Sequence, residues 1–245
     1  MRLDDTVSPV ASAAIYVSFP VVAAIVGSAI AAVRRPGEVF ISAVQHLAAG
    51  IVLAAVVGEI LPELRNEGRL PWAVAGFALG VALMLTLGAY GRRVDAQRAG
   101  AAPVGFLVAV GIDLLLDGLL VGLAVQLGST QGLILTIALT LEVSFLALSV
   151  VGELTDRGFD AKRAALTCAG LGLLTAVGAI LGALVLGGVG PAGLAFGLAF
   201  GAAALLYLAI EELIAEAHET KETTLLSGMF FLGFLVIYVL AELGG

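Results

Sequence analysis

Eight apolar segments, each long enough to cross a bilayer, leave this 245-residue chain very few folds to choose from. They cover about residues 9–33, 39–64, 71–91, 103–127, 131–154, 163–188, 192–217 and 224–243. A membrane helix needs about 20 mostly apolar residues, each advancing about 1.5 Å. The connections between them are short. RRPGE (Arg34 to Glu38), RNEGRLP (Arg65 to Pro71), RRVDAQRAG (Arg92 to Gly100), TDRGFDAKR (Thr155 to Arg163) and HETKET (His218 to Thr223) are charged; GSTQG (Gly128 to Gly132) and GGVGP (Gly187 to Pro191) are not. Hydrophobic residues make up 60% of the chain and charged ones 13%, against about 45–50% and about 25% in soluble domains. That excludes a water-soluble globule, and it excludes disorder, which needs polar and charged sequence. The 32 glycines follow no triplet period, so a collagen-like fold is excluded too. The reading is an all-α, eight-helix polytopic membrane protein, a single domain over 1–245 with no room for a soluble one.

The residues at the segment ends orient the bundle. Nine basic residues fall in the connections after the first, third, fifth and seventh segments; Arg2, Arg65 and Arg69 fall on the other side. Basic loops stay in the cytoplasm, so both termini are expected outside it. Met1 to Thr6 carry two acids and one base, unlike a basic signal-peptide leader, and the first segment is read as a retained helix. A net charge of −7 points away from nucleic acid. The single cysteine, Cys168, allows no disulfide framework. The aromatics, Trp72 among them, read as packing or interface anchors.

Charge inside a span is costly, about 2.5–3.5 kcal/mol per group at a helix centre, so the buried acids carry the functional information. The fourth segment places Asp113 and Asp117 four residues apart, one turn from each other on one helical face. The fifth places Glu142 at comparable depth. Left unpaired, three such carboxylates would cost on the order of 8–10 kcal/mol, and no Lys or Arg lies at that depth in any segment. Protons or bound cations must neutralise them. Acids hydrogen-bonded across helices as packing glue are the other reading; a pair at i, i+4 with a facing Glu favours a cation site. Gly105, Gly111, Gly118 and Gly122 would let neighbouring helices approach closely.

Further polar residues extend from this centre. Glu142, Ser149 and Glu153 lie within about 20° of one face, a polar line toward the cytoplasmic end. In the seventh segment Tyr207, Glu211 and His218 share one face, and Glu212, Glu216 and Glu219 another. Glu59 and Glu63 close the outer end of the second segment, and His46 lies about two turns in from its cytoplasmic end. Plain solvation is an equal reading for Glu63, Glu216 and Glu219. Gly50 to Glu63 and Ala203 to Glu216 also match each other loosely when aligned on Glu59 and Glu212. The two copies cross in opposite directions, which is the mark of an inverted repeat.

Together these residues resemble the ZIP (zinc/iron-regulated transporter-like) family of divalent-metal transporters, over essentially the whole chain. The resemblance implies eight helices, both termini outside, and inverted three-helix repeats (1–3 and 6–8) around helices 4 and 5. The family's helix-4 motif, His-Asn-x-x-(Asp/Glu)-Gly, corresponds to Asp113-Leu114-Leu115-Leu116-Asp117-Gly118, with Asp for His and Leu for Asn. Its helix-5 motif retains only Glu142, the usual second acid falling on Phe145; the helix-6 Glu-Pro falls on Thr175-Ala176. Tyr207, Glu211 and Glu212, with Glu59, Pro62 and Glu63, are similar to the family's path-lining acids. The ligand set is thus depleted and favours one main metal site, not two.

The resulting expectation is a transporter, not an enzyme, carrying divalent cations into the cytoplasm across the cell (plasma or inner) membrane. Its metal ligands are Asp113, Asp117, Glu142 and Glu211. Its path comprises His46, Glu59, Glu63, Ser149, Glu153, Glu212, Glu216 and His218. Zn, Mn, Fe and Cd are candidate substrates; an all-oxygen site suits Mn, Mg or Ca better than Zn. No cofactor and no catalytic residue is expected; the partners are the bilayer, the cation, protons and a second copy in a homodimer. The alternatives are a carrier or proton-linked channel for another solute on the same scaffold, and a metal-binding homologue that does not transport. An intramembrane aspartyl protease is disfavoured because Asp113 and Asp117 share one helix.

Overall fold

The computed structural model describes residues 8–34, 37–97, 104–127, 129–186, 188–218, 220–221 and 223–244. Residues 1–7, Arg35 and Pro36, residues 98–103, Gly128, Gly187, Glu219, Glu222 and Gly245 lie outside the described residues. Every apolar segment is a helix: α1 Pro9–Val33, α2 Glu38–Glu67, α3 Leu70–Gln97, α4 Val104–Leu127, α5 Ser129–Asp156 and α6 Ala161–Leu186. Helix α7 runs over 191–217 and α8 over Thr224–Gly244. There is no strand among the described residues, and all eight helices are long and apolar enough to cross a membrane. The observed ends fall within three residues of the expected ones, except that α3 runs six residues further, to Gln97.

Local sequence explains how the helices begin and end. Ser8 caps α1, its hydroxyl accepting from the Ala11 N–H at 3.3 Å, with Pro9 in the first turn where its missing N–H costs nothing. Helix α2 stops at Gly68, whose φ of 61° is left-handed, and whose N–H donates to the Arg65 carbonyl at 3.2 Å. A Cβ is strained in that conformation, so Gly68→Ala should lower thermal stability by about 1 kcal/mol. A melting curve in detergent that matches the wild type would contradict this account of the helix end.

Two helices are irregular inside the span. In α2, residues Val56–Ile60 form a π-helical turn, and in α7 residues Leu208–Ile214 do the same. The first has a visible cause. Pro62 has no N–H for the Gly58 carbonyl, so the backbone just ahead of it takes up i→i+5 bonding instead.

Burial sorts the helices into two layers. The richest windows of α2, α4, α5 and α7 are 56–67% buried, while those of α3 and α8 are only 17% buried. The four central helices form the core, and α1, α3, α6 and α8 turn apolar side chains such as Phe19, Phe77, Leu184 and Phe231 outward to lipid. The most extensive pairings are α4 with α6, α2 with α8, α1 with α6, α3 with α7, α1 with α5, and α2 with α7. Exchanging α1, α2 and α3 with α6, α7 and α8, and α4 with α5, maps these pairings onto one another.

Close backbone approach holds the layers together. A Cβ on Gly118 would overlap the Thr175 carbonyl oxygen, and one on Gly178 the Leu115 carbonyl, across the α4–α6 seam. Gly50 meets the Phe230 carbonyl and Gly233 the Leu47 carbonyl across α2–α8; Gly76 meets that of Phe196 across α3–α7. Of the glycines expected at such contacts, Gly118 and Gly122 meet backbone, whereas Gly111 faces the Leu174 side chain.

Candidate metal centre

Asp113, Asp117 and Glu142 converge in the middle of the central layer. Each offers one carboxylate oxygen, and these oxygens all lie within 4.8 Å of one another. The three side chains are almost fully buried, Glu142 at 1%, Asp117 at 2% and Asp113 at 5% exposure. Their placement follows from sequence in two steps. The i, i+4 spacing stacks both aspartates on one face of α4, and α5 crosses that face with Glu142 inward.

Among the described residues, Oδ2 of both aspartates and both carboxylate oxygens of Glu142 have no hydrogen-bond partner. The hydroxyls nearest Glu142 along α5 offer no help. Thr140 and Ser144 each donate to the carbonyl four residues back, at 2.6 Å. Two oxygens on one divalent ion, each at about 2.0–2.6 Å, are at most about 4–5 Å apart. The observed spacing fits that limit. Three buried carboxylates within this spacing, with no Lys or Arg beside them among the described residues, have the composition of a cation ligand set.

A cavity of ≈ 20 Å³ adjoins the cluster, enough for one water-sized occupant. Gln45, Asp113, Glu142, Ser149 and Glu212 supply its polar lining, and Phe145, Leu146, Leu208 and Leu213 its apolar lining. Gln45 is buried on α2 and donates to the Ser149 hydroxyl at 3.4 Å. Ser149 therefore joins Glu142, as its face on α5 requires. Glu153, further along, is partly exposed and ion-paired to Arg157 on its own helix at 2.6 Å.

Helix α7 contributes a different acid from the one expected. Glu211 is exposed and lies outside the cluster, while half-buried Glu212 lines the cavity. Leu208 and Leu213 line the same cavity, and Leu208 and Glu212, four residues apart, share that inner face of α7, while Glu211 turns away from it. Glu59 and Glu63 are half-buried toward the far end of α2, and neither joins the three carboxylates. Glu216 falls in α7, but its side chain lies outside the described residues. His46 is buried and, with His218, lines a different cavity.

One polar residue of the cavity, Gln45, escaped the sequence reading, although an amide inside an apolar run is itself a signal. Thr175 is fully buried, its hydroxyl has no partner among the described residues, and its carbonyl packs on Gly118, next to Asp117.

With this geometry in place, a comparison with protein-family models finds a match to the ZIP zinc transporter model over residues 91–241, more than half of the chain. No curated protein matches the chain in sequence.

Proposed function

The chain belongs to the ZIP zinc transporter family, and from that premise we propose that it carries a divalent metal cation into the cytoplasm through Asp113, Asp117 and Glu142. Membership makes it a multi-pass divalent-metal transporter of the lipid bilayer and not a member of an enzyme family. The observation that carries the finer reading is the buried, base-free carboxylate cluster with unpartnered oxygens. A bare cation there exchanges its hydration shell for carboxylate oxygens and cancels a charge that the span otherwise bears at high cost.

The basic connections favour extracytoplasmic termini; the inward direction and the plasma or inner membrane are proposed on family resemblance. The neighbour pattern that survives exchange of α1–α3 with α6–α8 supports inverted repeats rocking about the central site. Carboxylates must be deprotonated to bind metal, so uptake is read as proton-linked. A homodimer is proposed on family resemblance alone.

The test is uptake of Zn, Mn and Cd by purified protein in liposomes. Uptake above protein-free liposomes supports the proposal. Metal binding without flux would instead identify a non-transporting homologue, and no response to metal a carrier of another solute. The cavity lining adds a finer expectation. Glu212→Gln should lower the uptake rate about tenfold, equivalent to about 1.4 kcal/mol, and Glu211→Gln should change it less than about twofold. Equal losses would remove Glu212 from the path.

A further inference from the structure

The seam between α2 and α7 separates two cavities. One adjoins the carboxylates; the other, of ≈ 180 Å³, is lined by His46 of α2, Ile214 and His218 at the end of α7, and Ser227, Phe230 and Phe231 of α8. The two share no lining residue. Gln45 and His46 are consecutive, as are Leu213 and Ile214, so each pair sends one side chain to either side of the seam. The histidines are therefore not a continuation of the polar line through Glu142 and Ser149.

The two rings meet edge to face, centroids 5.4 Å apart at 64°. His46 Nδ1 lies 2.8 Å from the Ser42 carbonyl oxygen, and His218 Nδ1 lies 2.6 Å from that of Ile214. A carbonyl only accepts, so in both rings Nδ1 carries the proton and Nε2 is the basic nitrogen. Metal-binding imidazoles are held in this way, one N–H on a carbonyl and the other nitrogen turned to the ion. The backbone around them is fixed as well, since the Ser42 hydroxyl donates to the Ala217 carbonyl at 2.8 Å and pins the start of α2 to the end of α7.

We propose that His46 and His218 form a second cation site, off the carboxylate path, that binds a transition-metal ion such as Zn²⁺ or Cu²⁺ through two imidazole nitrogens. Imidazole selects Zn, Cu and Ni over Mg, Ca and Mn, whereas carboxylates favour the latter group. The two sites therefore differ in the ions they accept. Water fills the remaining coordination positions in a cavity of this size, and an ion on both rings bridges α2 to α7, the two helices with π turns.

The chain has only two histidines, which makes a nitrogen count decisive. Untagged protein carrying Asp117→Ala, to weaken the carboxylate site, is loaded with one equivalent of Cu²⁺ and read by electron paramagnetic resonance. Hyperfine structure from two imidazole nitrogens is expected, lost on addition of excess Zn²⁺. His218→Gln and His46→Gln should each remove one nitrogen and weaken binding at least tenfold. His218 is exposed, so its variant reports even if the buried His46 variant fails to fold. A spectrum without nitrogen structure, or one unchanged by His218→Gln, would overturn the site. Failure of the transport reading shows elsewhere, as uptake that survives Asp117→Ala.

Discussion

Replacing Asp117 by alanine is expected to reduce metal uptake into liposomes by at least about 100-fold, since losing a group that merely orients a ligand already costs metal sites about 10–100-fold. Asp117 is 2% exposed and supplies one of three oxygens that lie within 4.8 Å of one another. Two carboxylates remain in the variant, but the ion loses a charge and a ligand together. Stability should move the other way. Three carboxylates packed together, four of their oxygens without a hydrogen-bond partner among the described residues, burden the metal-free fold. Removing one should therefore leave the melting temperature of metal-free protein unchanged or higher. Added metal should then stabilise the wild type, by about 2.7 kcal/mol at 100 times Kd, and leave the variant nearly unmoved. Asp117→Asn keeps the shape and removes only the charge, and it should behave like the alanine variant in uptake. Normal uptake in either variant would defeat the assignment. A variant that loses stability without metal would show instead that the acids serve as packing glue.

The eight helices were legible because the bilayer imposes a length and an apolar content that no other environment demands. Their ends were legible from Pro, Gly and charge. Asp113, Asp117 and Glu142 could be brought together on paper because charge inside a span has so few explanations, and because α-helical spacing holds through the middle of α4 and α5. In α7 the sequence did not say which of two adjacent acids turns inward: Glu211 was expected as a ligand and Glu212 on the path, and it is Glu212 that lines the cavity. Tertiary partners were not legible at all. The ring beside His46 belongs to a residue 172 positions later, His218, and only the α2–α7 contact joins them. Gln45 was passed over in an otherwise apolar run, yet an amide buried at 3% exposure must find a partner nearly as surely as an acid must.

Gly118→Ala should be among the most destabilising single-methyl changes at the described glycines, costing about 1–3 kcal/mol or more. The methyl would overlap the Thr175 carbonyl oxygen, and backbone cannot swing aside as a side chain can. The seam is reciprocal: Gly122 faces the Ala179 carbonyl, and Gly178 and Gly182 face the Leu115 and Leu119 carbonyls. Relief at Gly118 therefore means moving α4 away from α6 as a unit. Between lipid-immersed helices the apolar surfaces gain little from leaving a solvent as apolar as themselves, so close packing carries the association. Gly170→Ala is the matched control. It lies on α6 with no atom within 4 Å of the added methyl, and alanine's better helix propensity should stabilise it by about 0.5–1 kcal/mol. Thermal unfolding in detergent measures both, and equal melting temperatures for Gly118→Ala and wild type would contradict the seam. Function should fall further than stability. Asp117 precedes Gly118, so a seam forced apart by about 1 Å carries that carboxylate away from Glu142, and a misplacement of that size costs a positioned site about 100-fold.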